Sequence, residues 1–431
     1  MKGGTAMDDR WIFHCDCNSF YASVELLEHP NLKTVPVAVC GDPEGRHGII
    51  LAKNEPAKKY GIQTAETVWQ AMRKCPQLTL LPPHRERYRQ FSKQINAIYQ
   101  EYTDLVEPFG IDESWLDVTH SWQLFCKNPI HLAHIIRERV KAETGLTISV
   151  GVSFNKVFAK LGSDYKKPDA VTLFSRQNYP YLVWPQPVGN LLFVGKSAQK
   201  SLANLGISTI GDLAAADPVL LGQTMGKLGT QLSHYARGED RDPVRPAGQR
   251  EPVKSVGSGC TFRRDLRTPD EIKAGLWAQA DEVAARLRRH GLWAGAVQVT
   301  IRGTDLKTIT RQKHLPMSTH LAKTLAQESW ALVQANWPGG KPIRMLTVTA
   351  LALTEEPFAV QQSLFDDAPK ADPRREKLEQ SLDAIRNKYG RGAIAPGSTL
   401  RTELGLEGLS MSKGEPQGED AAWDEKVKGP L

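Results

Sequence analysis

The sequence predicts an α+β chain of several domains, and three observations lead there. Its 431 residues exceed one ordinary domain and suggest three or four. Over roughly 8–175, short apolar strands alternate with helices and hairpins, the pattern of a sheet covered by helices. Over 254–353 the order becomes β-α-β-β-α-β.

Taken along the chain, "RWIFHCDCNSF" opens as a short strand, and "FYASVELLEHP" continues as a helix that stops before Pro30. "VPVAVC" (35–40) reads as a second strand, followed by a Gly/Pro-rich connection at 41–48. "NEPAKKYGIQT" reads as a helix closed by Gly61, since glycine tolerates the left-handed backbone that ends a helix. "LVEPFG" and "SWLDVTH" are β-rich runs flanking a tight turn, which places Asp112 and Glu113 at or beside a hairpin tip. "IHLAHIIRERVKAETG" (130–145) is an amphipathic helix ending at Gly145, and "LTISVGVSF" (146–154) a buried strand.

Residues 176–241 change character, with short helices and many glycines. In "LLFVGKSAQKSLANLGISTIGDLA" a Gly-containing turn joins two short helical segments. This fits a helix-hairpin-helix, whose turn amides can hold a phosphate; a plain αα-hairpin fits the same residues. "RGEDRDPVRPAGQREP" (237–252) is Pro- and charge-rich and reads as an exposed linker.

Next come a strand near 254–262, a helix near 269–290 and strands near 294–303 and 306–314. A helix near 318–336 and a strand near 343–353 complete the unit. In "AVQVTIR", Val297, Val299 and Ile301 alternate with Gln298, Thr300 and Arg302, giving one core face and one polar face. Such a face can lie on a phosphate backbone, and a merely solvated face would look the same. Beyond 355 the composition is polar, with one helix expected at 373–388 and the rest of the tail expected to be flexible.

Hydrophobic content of 40% and charged content of 24% describe a globular chain able to bury real cores. No apolar run approaches a membrane span, and "MKGGTAMDDRW" lacks a signal peptide's apolar centre. Met7 is a second possible start. The six cysteines are scattered without a CxxC pair, which argues against a disulfide framework or zinc site and for the reducing cytoplasm. Net charge is +7, and it is unevenly spread. Residues 254–354 carry 15 Lys/Arg against 7 Asp/Glu, whereas 355–431 carry 11 against 15. A basic module before an acidic tail points to a polyanionic partner, nucleic acid first.

The chemistry concentrates in "FGIDESWLDV" (109–118), where Asp112, Glu113 and Asp117 interrupt an apolar run. Adjacent like charges cost energy unless a cation or a turn accommodates them. Asp16 ends the first strand of the same expected sheet. One early carboxylate plus an adjacent pair from a distant strand suits two Mg²⁺ ions, which take oxygen ligands and bridge carboxylates to phosphates. Two such ions, about 3.5–4 Å apart, activate a hydroxyl and stabilise departing pyrophosphate. Acids that merely decorate a turn would give the same word.

Three words occur in one order: "CDCNSFYASVE", "FGIDESWLDVT" and "GVSFNKVFAKLGSDYKKPDA". Together they resemble the Y-family translesion DNA polymerases, and within them the DinB-type (DNA polymerase IV) branch, especially Gram-positive forms. The resemblance runs from about 8 to 357. It implies a right-hand polymerase with a palm (8–19 and 81–175), small fingers (20–80) and a helix-hairpin-helix thumb (176–241). A linker (242–253) and a β-α-β-β-α-β little finger (254–357) would follow, then a flexible tail (358–431).

The same resemblance implies Asp16, Asp112 and Glu113 as metal-binding carboxylates, with the Cys17 carbonyl as a backbone ligand and two Mg²⁺ as cofactors. Asp112 and Glu113 would be the catalytic pair. Phe20 and Tyr21 fall where backbone amides meet the incoming triphosphate, and Tyr21 matches the sugar-discriminating aromatic. Lys58 and Lys167 match basic residues that hold the phosphates. The chain departs from the pattern at Asn18, Ser19, Glu55, Lys58, Ser114 and Trp115. Glu55 stands where some relatives have a triphosphate-contacting tyrosine, and Lys58 replaces the more usual arginine. Asp117 is not a family metal ligand and is expected to be structural.

"QQSLF" (361–365) resembles the bacterial sliding-clamp binding pentapeptide, which implies Gln361, Leu364 and Phe365 as anchors. The expected activity is template-directed, low-fidelity DNA synthesis opposite damage, without proofreading. Primer-template DNA, deoxynucleoside triphosphates and the clamp are the expected partners, and a monomer the expected state. Two rivals are another two-metal nucleotidyl enzyme on a similar palm and a degenerate polymerase serving as a clamp-bound scaffold. The basic module argues against the first, and the intact carboxylates against the second.

Overall fold

A computed structural model of the chain describes residues 10–43, 48–249, 252–358, 373–397 and 402–406. The chain divides into two compact units, Met1–Arg250 and Glu251–Leu431. The pentapeptide 361–365 lies outside the described residues. Among the described residues, no helix is long and apolar enough to cross a membrane.

In the first unit, β1 (Ile12–Cys17) leads into α1 (Phe20–Glu28), which ends before Pro30 as expected. β2 (Val37–Cys40), β3 (Ile50–Lys53), the short α2 (Glu55–Lys58), α3 (Val68–Lys74) and β4 (Thr79–Leu81) follow. Then come α4 (Arg85–Gln100), β5 (Val106–Pro108) and β6 (Glu113–Asp117). α5 (Pro129–Thr144), β7 (Ile148–Ser153), α6 (Lys156–Tyr165) and β8 (Val171–Phe174) complete the α+β part. The boundaries of α5 follow from its caps: Asn128 accepts from the Ile130 amide, Pro129 opens the first turn, and Gly145 closes it at φ +71°.

The strands form two sheets. The larger runs β5-β6-β1-β7-β8, and the smaller β3-β2-β4. β1 is central because every one of its residues is buried, and only a strand covered on both faces has that pattern. Phe13, Cys15 and Cys17 point into a core shared with Tyr88, Ile95 and Tyr99 of α4 and Leu132, Ile136 and Val140 of α5. Period-two alternation sends Ile12, His14 and Asp16 to the opposite face, where α6 packs.

Helices α7 (Tyr179–Leu182), α8 (Lys196–Ala203), α9 (Ile210–Ala215), α10 (Pro218–Met225) and α11 (Lys227–Ala236) build a second apolar cluster together with Phe154, with Phe158 and Leu161 of α6 and with Phe174 of β8. Gly206, at φ +75°, turns the chain between α8 and α9, and Gly226, at φ +63°, between α10 and α11.

The stretch after α11, expected to be an exposed linker, is instead tied to the large sheet over 240–247. Val244 is buried with Ile12, Trp115 and Ala159. The Arg245 guanidinium and the Lys156 ammonium each lie 2.8 Å from the buried Glu107 carboxylate. The Ala247 amide donates to the Asp104 carbonyl at 2.8 Å. Proline and charge exclude regular structure there, but one valine and one buried acid anchor the segment.

The second unit has the expected order: β9 (Val256–Leu266), α12 (Pro269–Arg289), β10 (Trp293–Gly303), β11 (Thr308–Thr319), α13 (Ala322–Asn336) and β12 (Ile343–Thr354). A Thr268–Glu271 capping box starts α12. The antiparallel sheet runs β11-β10-β12-β9. Val297, Val299 and Ile301 enter the core against both helices. On the other face, Gln298 lies between Gln312 and Thr349, and Thr300 between Thr310 and Thr347.

α14 (Pro373–Tyr389) occupies the expected helical position, but part of the tail expected to be flexible is packed. Leu404 and Leu406 are buried in the core of the second unit. Arg288, only 6% exposed, bonds Glu379 and Asp383 of α14, and Glu379 also accepts from the Ala322 amide at 3.0 Å at the start of α13. Removing the guanidinium leaves two carboxylates without their cation. Arg288→Ala is therefore expected to cost about 3–5 kcal/mol in urea unfolding of the full chain. It should also expose α14 to amide hydrogen exchange before the sheet.

Candidate active site

Antiparallel register builds the centre of the site. β1 pairs with β6 so that Asp16 lies opposite Glu113 and His14 opposite Trp115, and opposed residues share a face. The Phe109 and Gly110 amides both donate to the Glu113 carbonyl, at 2.9 and 3.3 Å, closing the turn before β6. The Cys17 amide donates to the Asp112 carbonyl at 2.9 Å, which locks that turn to the end of β1. Asp16, Cys17, Asp112 and Glu113 are thus brought together from two distant segments. Gly110 keeps the turn open: a Cβ there would lie 3.4 Å from Glu113 Oε1 and 3.5 Å from Asp112 Oδ1.

α6 supplies the cations. It sits directly on β7 because Gly151 and Gly162 meet face to face; a Cβ on Gly151 would fall 1.9 Å from the Ala159 carbonyl oxygen. That approach places Lys160 Nζ 2.9 Å from Asp16 Oδ2, 2.6 Å from Glu113 Oε2 and 3.3 Å from Asp164 Oδ2. Lys167 Nζ lies 2.8 Å from Asp16 Oδ1 and 2.7 Å from Asp164 Oδ1. It also seats Ser163 Oγ 2.8 Å from His14 Nδ1. His14 Nε2 in turn lies 3.3 Å from Glu113 Oε2. The Ser163 hydroxyl itself donates to the Lys160 carbonyl at 2.7 Å, which ties the same turn of α6 to the ring.

The charges respond to this crowding. Burial, then the neighbouring Asp16 and Glu113, push the Asp112 carboxyl up to about 7. Burial would raise Glu113 too, but the His14 ring and the Lys160 ammonium outweigh it and hold that carboxyl well below the usual range. Burial lowers His14. It would also lower Lys160, but Asp16, Glu113 and Asp164 keep that ammonium firmly protonated. The ligand atoms of His14, Asp16 and Glu113 lie within 4.8 Å of one another, close enough to hold a metal ion. That group pairs a ring nitrogen with two carboxylates and does not include Asp112; carboxylate oxygens are the donors a hard divalent cation takes.

Tyr21 follows on α1. Its ring stacks on Tyr88 of α4, with centroids 4.1 Å apart and planes 11° from parallel. The Tyr88 hydroxyl donates to the buried Glu25, which also accepts from the His84 amide at 3.2 Å. Phe20 is buried in the core, so only its backbone can face a ligand. Ser19, at φ +51°, makes no side-chain cap to the first turn of α1, whose amides point outward from the helix start. Lys167 joins the carboxylate cluster, whereas Lys58 does not. Lys58 pairs with Glu55 at 2.5 Å, and Glu55 reaches Ser19 Oγ at 3.5 Å. Asp117 serves the fold, accepting from the Thr119 amide and hydroxyl at 3.0 and 2.6 Å.

Sequence reasoning missed His14, Lys160, Asp164 and Tyr88. His14 was within reach, since it stands two residues before Asp16 on a strand and must share its face. Lys160 and Asp164 share a helix face at spacing four, but which wall that face meets depends on how α6 docks.

Comparison with known proteins follows the same two units. The impB/mucB/samB family matches residues 15–164, and the impB/mucB/samB family C-terminal domain matches residues 253–364. A DNA polymerase IV of Acetivibrio thermocellus is 44% identical over 395 residues, covering 91% of this chain and 98% of the relative. DNA polymerase IV 1 of Bacillus subtilis is 37% identical over 418 residues, covering 97% and 98%. Among solved structures, the Y-family DNA polymerase chimera Dbh-Dpo4(243-245)-Dbh shares the fold. Its TM-score is 0.70 at 22% identity, over 79% of this chain and 98% of that one.

The seat of α6 is testable without any substrate. Gly151→Ala forces a methyl group into the Ala159 backbone. It is expected to destabilise the first unit by about 1–3 kcal/mol or more, measured as a lower urea midpoint. Ala at Gly195, where nothing lies within 4 Å of a Cβ and φ is −75°, controls for replacing an unhindered glycine.

Proposed function

This chain belongs to the impB/mucB/samB family, the Y-family DNA polymerases of the DinB or polymerase IV type, and on that premise we propose that it extends DNA primers across damaged template bases by two-metal nucleotidyl transfer. Nucleotidyl transfer is the chemistry of the family; lesion bypass and the two ions are our reading. The observation that carries it is the convergence of Asp16, Asp112 and Glu113 at one end of the large sheet, across the β1–β6 register and the tie from Cys17 to Asp112.

The donor set fits divalent magnesium. Burial, with Asp16 and Glu113 close by, raises Asp112 to about 7, and Gly110 leaves beside Glu113 and Asp112 a hollow that a Cβ would fill. Asp16, Asp112, Glu113 and the Cys17 carbonyl would hold the ions. Bound there, such ions lower the pKa of the primer hydroxyl and neutralise the charge that develops on the leaving pyrophosphate. The protein's own part is to orient and to neutralise. The first-turn amides of α1 at Phe20 and Tyr21 offer donors to a triphosphate, and Lys167 brings an ammonium to the same place. Lys58, held by Glu55, would contribute once the phosphates compete for it.

Other features support DNA as the substrate. The open sheet face of the second unit carries Gln298, Thr300, Gln312, Thr310, Thr347 and Thr349 in cross-strand rows, short donors suited to a phosphate backbone. The turns at Gly206 and Gly226 suit the helix-hairpin-helix reading of the thumb. Palm, fingers, thumb and little finger then correspond to the large sheet, the small sheet, the α7–α11 cluster and the β9–β12 unit. Gln361, Leu364 and Phe365 remain our proposed anchors for a sliding clamp, on the strength of the pentapeptide alone.

Replacing Asp112 by Asn or Glu113 by Gln tests the reading. Each should lower primer extension by about 10²–10³ or more while leaving primer-template affinity, measured by fluorescence anisotropy, nearly unchanged. Extension by either variant at the parent rate would refute the two-metal assignment.

Sugar choice gives a second test. With its ring held flat against Tyr88, Tyr21 has little freedom to yield to a 2′-hydroxyl, and packed sites resist added volume. Tyr21→Ala is expected to raise the ratio of ribonucleotide to deoxynucleotide insertion efficiency while retaining most deoxynucleotide activity. An unchanged ratio in a variant that melts like the parent would remove Tyr21 from this role.

A further inference from the structure

Lys160 has no role in the reading above, yet it is the most heavily engaged cation at the site. Its ammonium has three hydrogens and three carboxylate neighbours: Asp16 at 2.9 Å, Glu113 at 2.6 Å and Asp164 at 3.3 Å. The side chain is only 17% exposed, and the Gly151–Gly162 contact seats its helix close against the sheet. Glu113 Oε2 is held from two sides, by Lys160 and by His14 Nε2 at 3.3 Å.

We propose that Lys160 is a resident counter-ion of the metal site, which clamps Asp16 to Glu113 and keeps the nucleotide-free protein from binding divalent cations tightly. The inference rests on Asp16, Asp112 and Glu113 being the metal ligands. Its electrostatics are simple. Four carboxylates (Asp16, Asp112, Glu113 and Asp164) face two ammoniums (Lys160 and Lys167). A divalent ion approaching Asp16 and Glu113 meets the Lys160 charge on the same two oxygens, so it must share or displace them against like-charge repulsion. A triphosphate brings negative charge of its own, which tips that balance toward metal entry. Lys160 is thus a positioning residue: it touches the ligating carboxylates rather than the reacting atoms, and it couples metal entry to nucleotide arrival.

Titration with Mn²⁺, followed by the free-ion electron paramagnetic resonance signal without DNA or nucleotide, tests this on the full chain. Lys160→Met should bind Mn²⁺ at least about tenfold more tightly than the parent, because one repelling charge at contact distance is gone. Lys160→Arg, which keeps the charge, should stay close to the parent. Primer extension by Lys160→Met should nevertheless be slower at every metal concentration, since Asp16 and Glu113 lose their clamp. A merely structural lysine would not tighten metal binding when removed. Lys160→Gln, checked by thermal melting, replaces the Met variant if the latter does not fold. Affinity that is unchanged or weaker in the folded variant overturns the inference. Asp16→Asn separates this from the premise: Mn²⁺ binding by the parent that survives Asp16→Asn overturns the metal assignment, and the inference with it.

Discussion

The contact between Gly151 of β7 and Gly162 of α6 sets the rest of the site. With no side chain on either residue, the helix backbone lies against the strand backbone, closer than ordinary helix-on-sheet packing allows. Three consequences follow from that one approach. Ser163 reaches His14, Lys160 reaches Asp16 and Glu113, and Lys167, just past the helix end, reaches Asp16 and Asp164.

Charge balance then explains why the sheet tolerates adjacent acids. Asp112 and Glu113 are neighbours in sequence but differ in environment. Glu113 lies on the α6 face among His14 and Lys160, which keep it ionised. Asp112 stays in the turn, where burial and two neighbouring carboxylates raise its carboxyl to about 7. Carboxylates whose environments push them apart in this way mark functional sites more often than structural ones. Asp16 and Glu113 also belong, with His14, to the one group among the described residues whose ligand atoms lie close enough to hold a metal ion.

The second unit solves a different problem with the same economy. Its sheet puts Val297, Val299, Ile301, Leu346 and Val348 against α12 and α13 and leaves a face of threonine and glutamine. Gly259 keeps that face flat beside Thr347, whose hydroxyl oxygen a Cβ would approach to 2.3 Å. The end of α12 is closed by α14 through Arg288, a buried cation whose two carboxylate partners both come from beyond the last strand. Charge thus holds α14, while apolar burial holds Leu404 and Leu406 further along the same tail.

Local patterning was enough to locate most elements. The apolar run "WIFHC", the Gly145 that ends α5, and the alternation in "AVQVTIR" each carry their own physical signature, and the elements stand where those signatures place them. The words around Asp16 and Asp112–Glu113 likewise identified the family. Tertiary structure decided what those words could not express. Val244 and Glu107 anchor a segment whose composition resembles a linker, because two or three buried contacts do not show in composition. Leu404 and Leu406 enter a core from a tail that averages as polar. Lys160 and His14 meet Glu113 only because a strand register and a glycine-to-glycine contact superimpose three distant segments. Periodicity assigns a residue to a face, but which face meets which is settled by long-range packing.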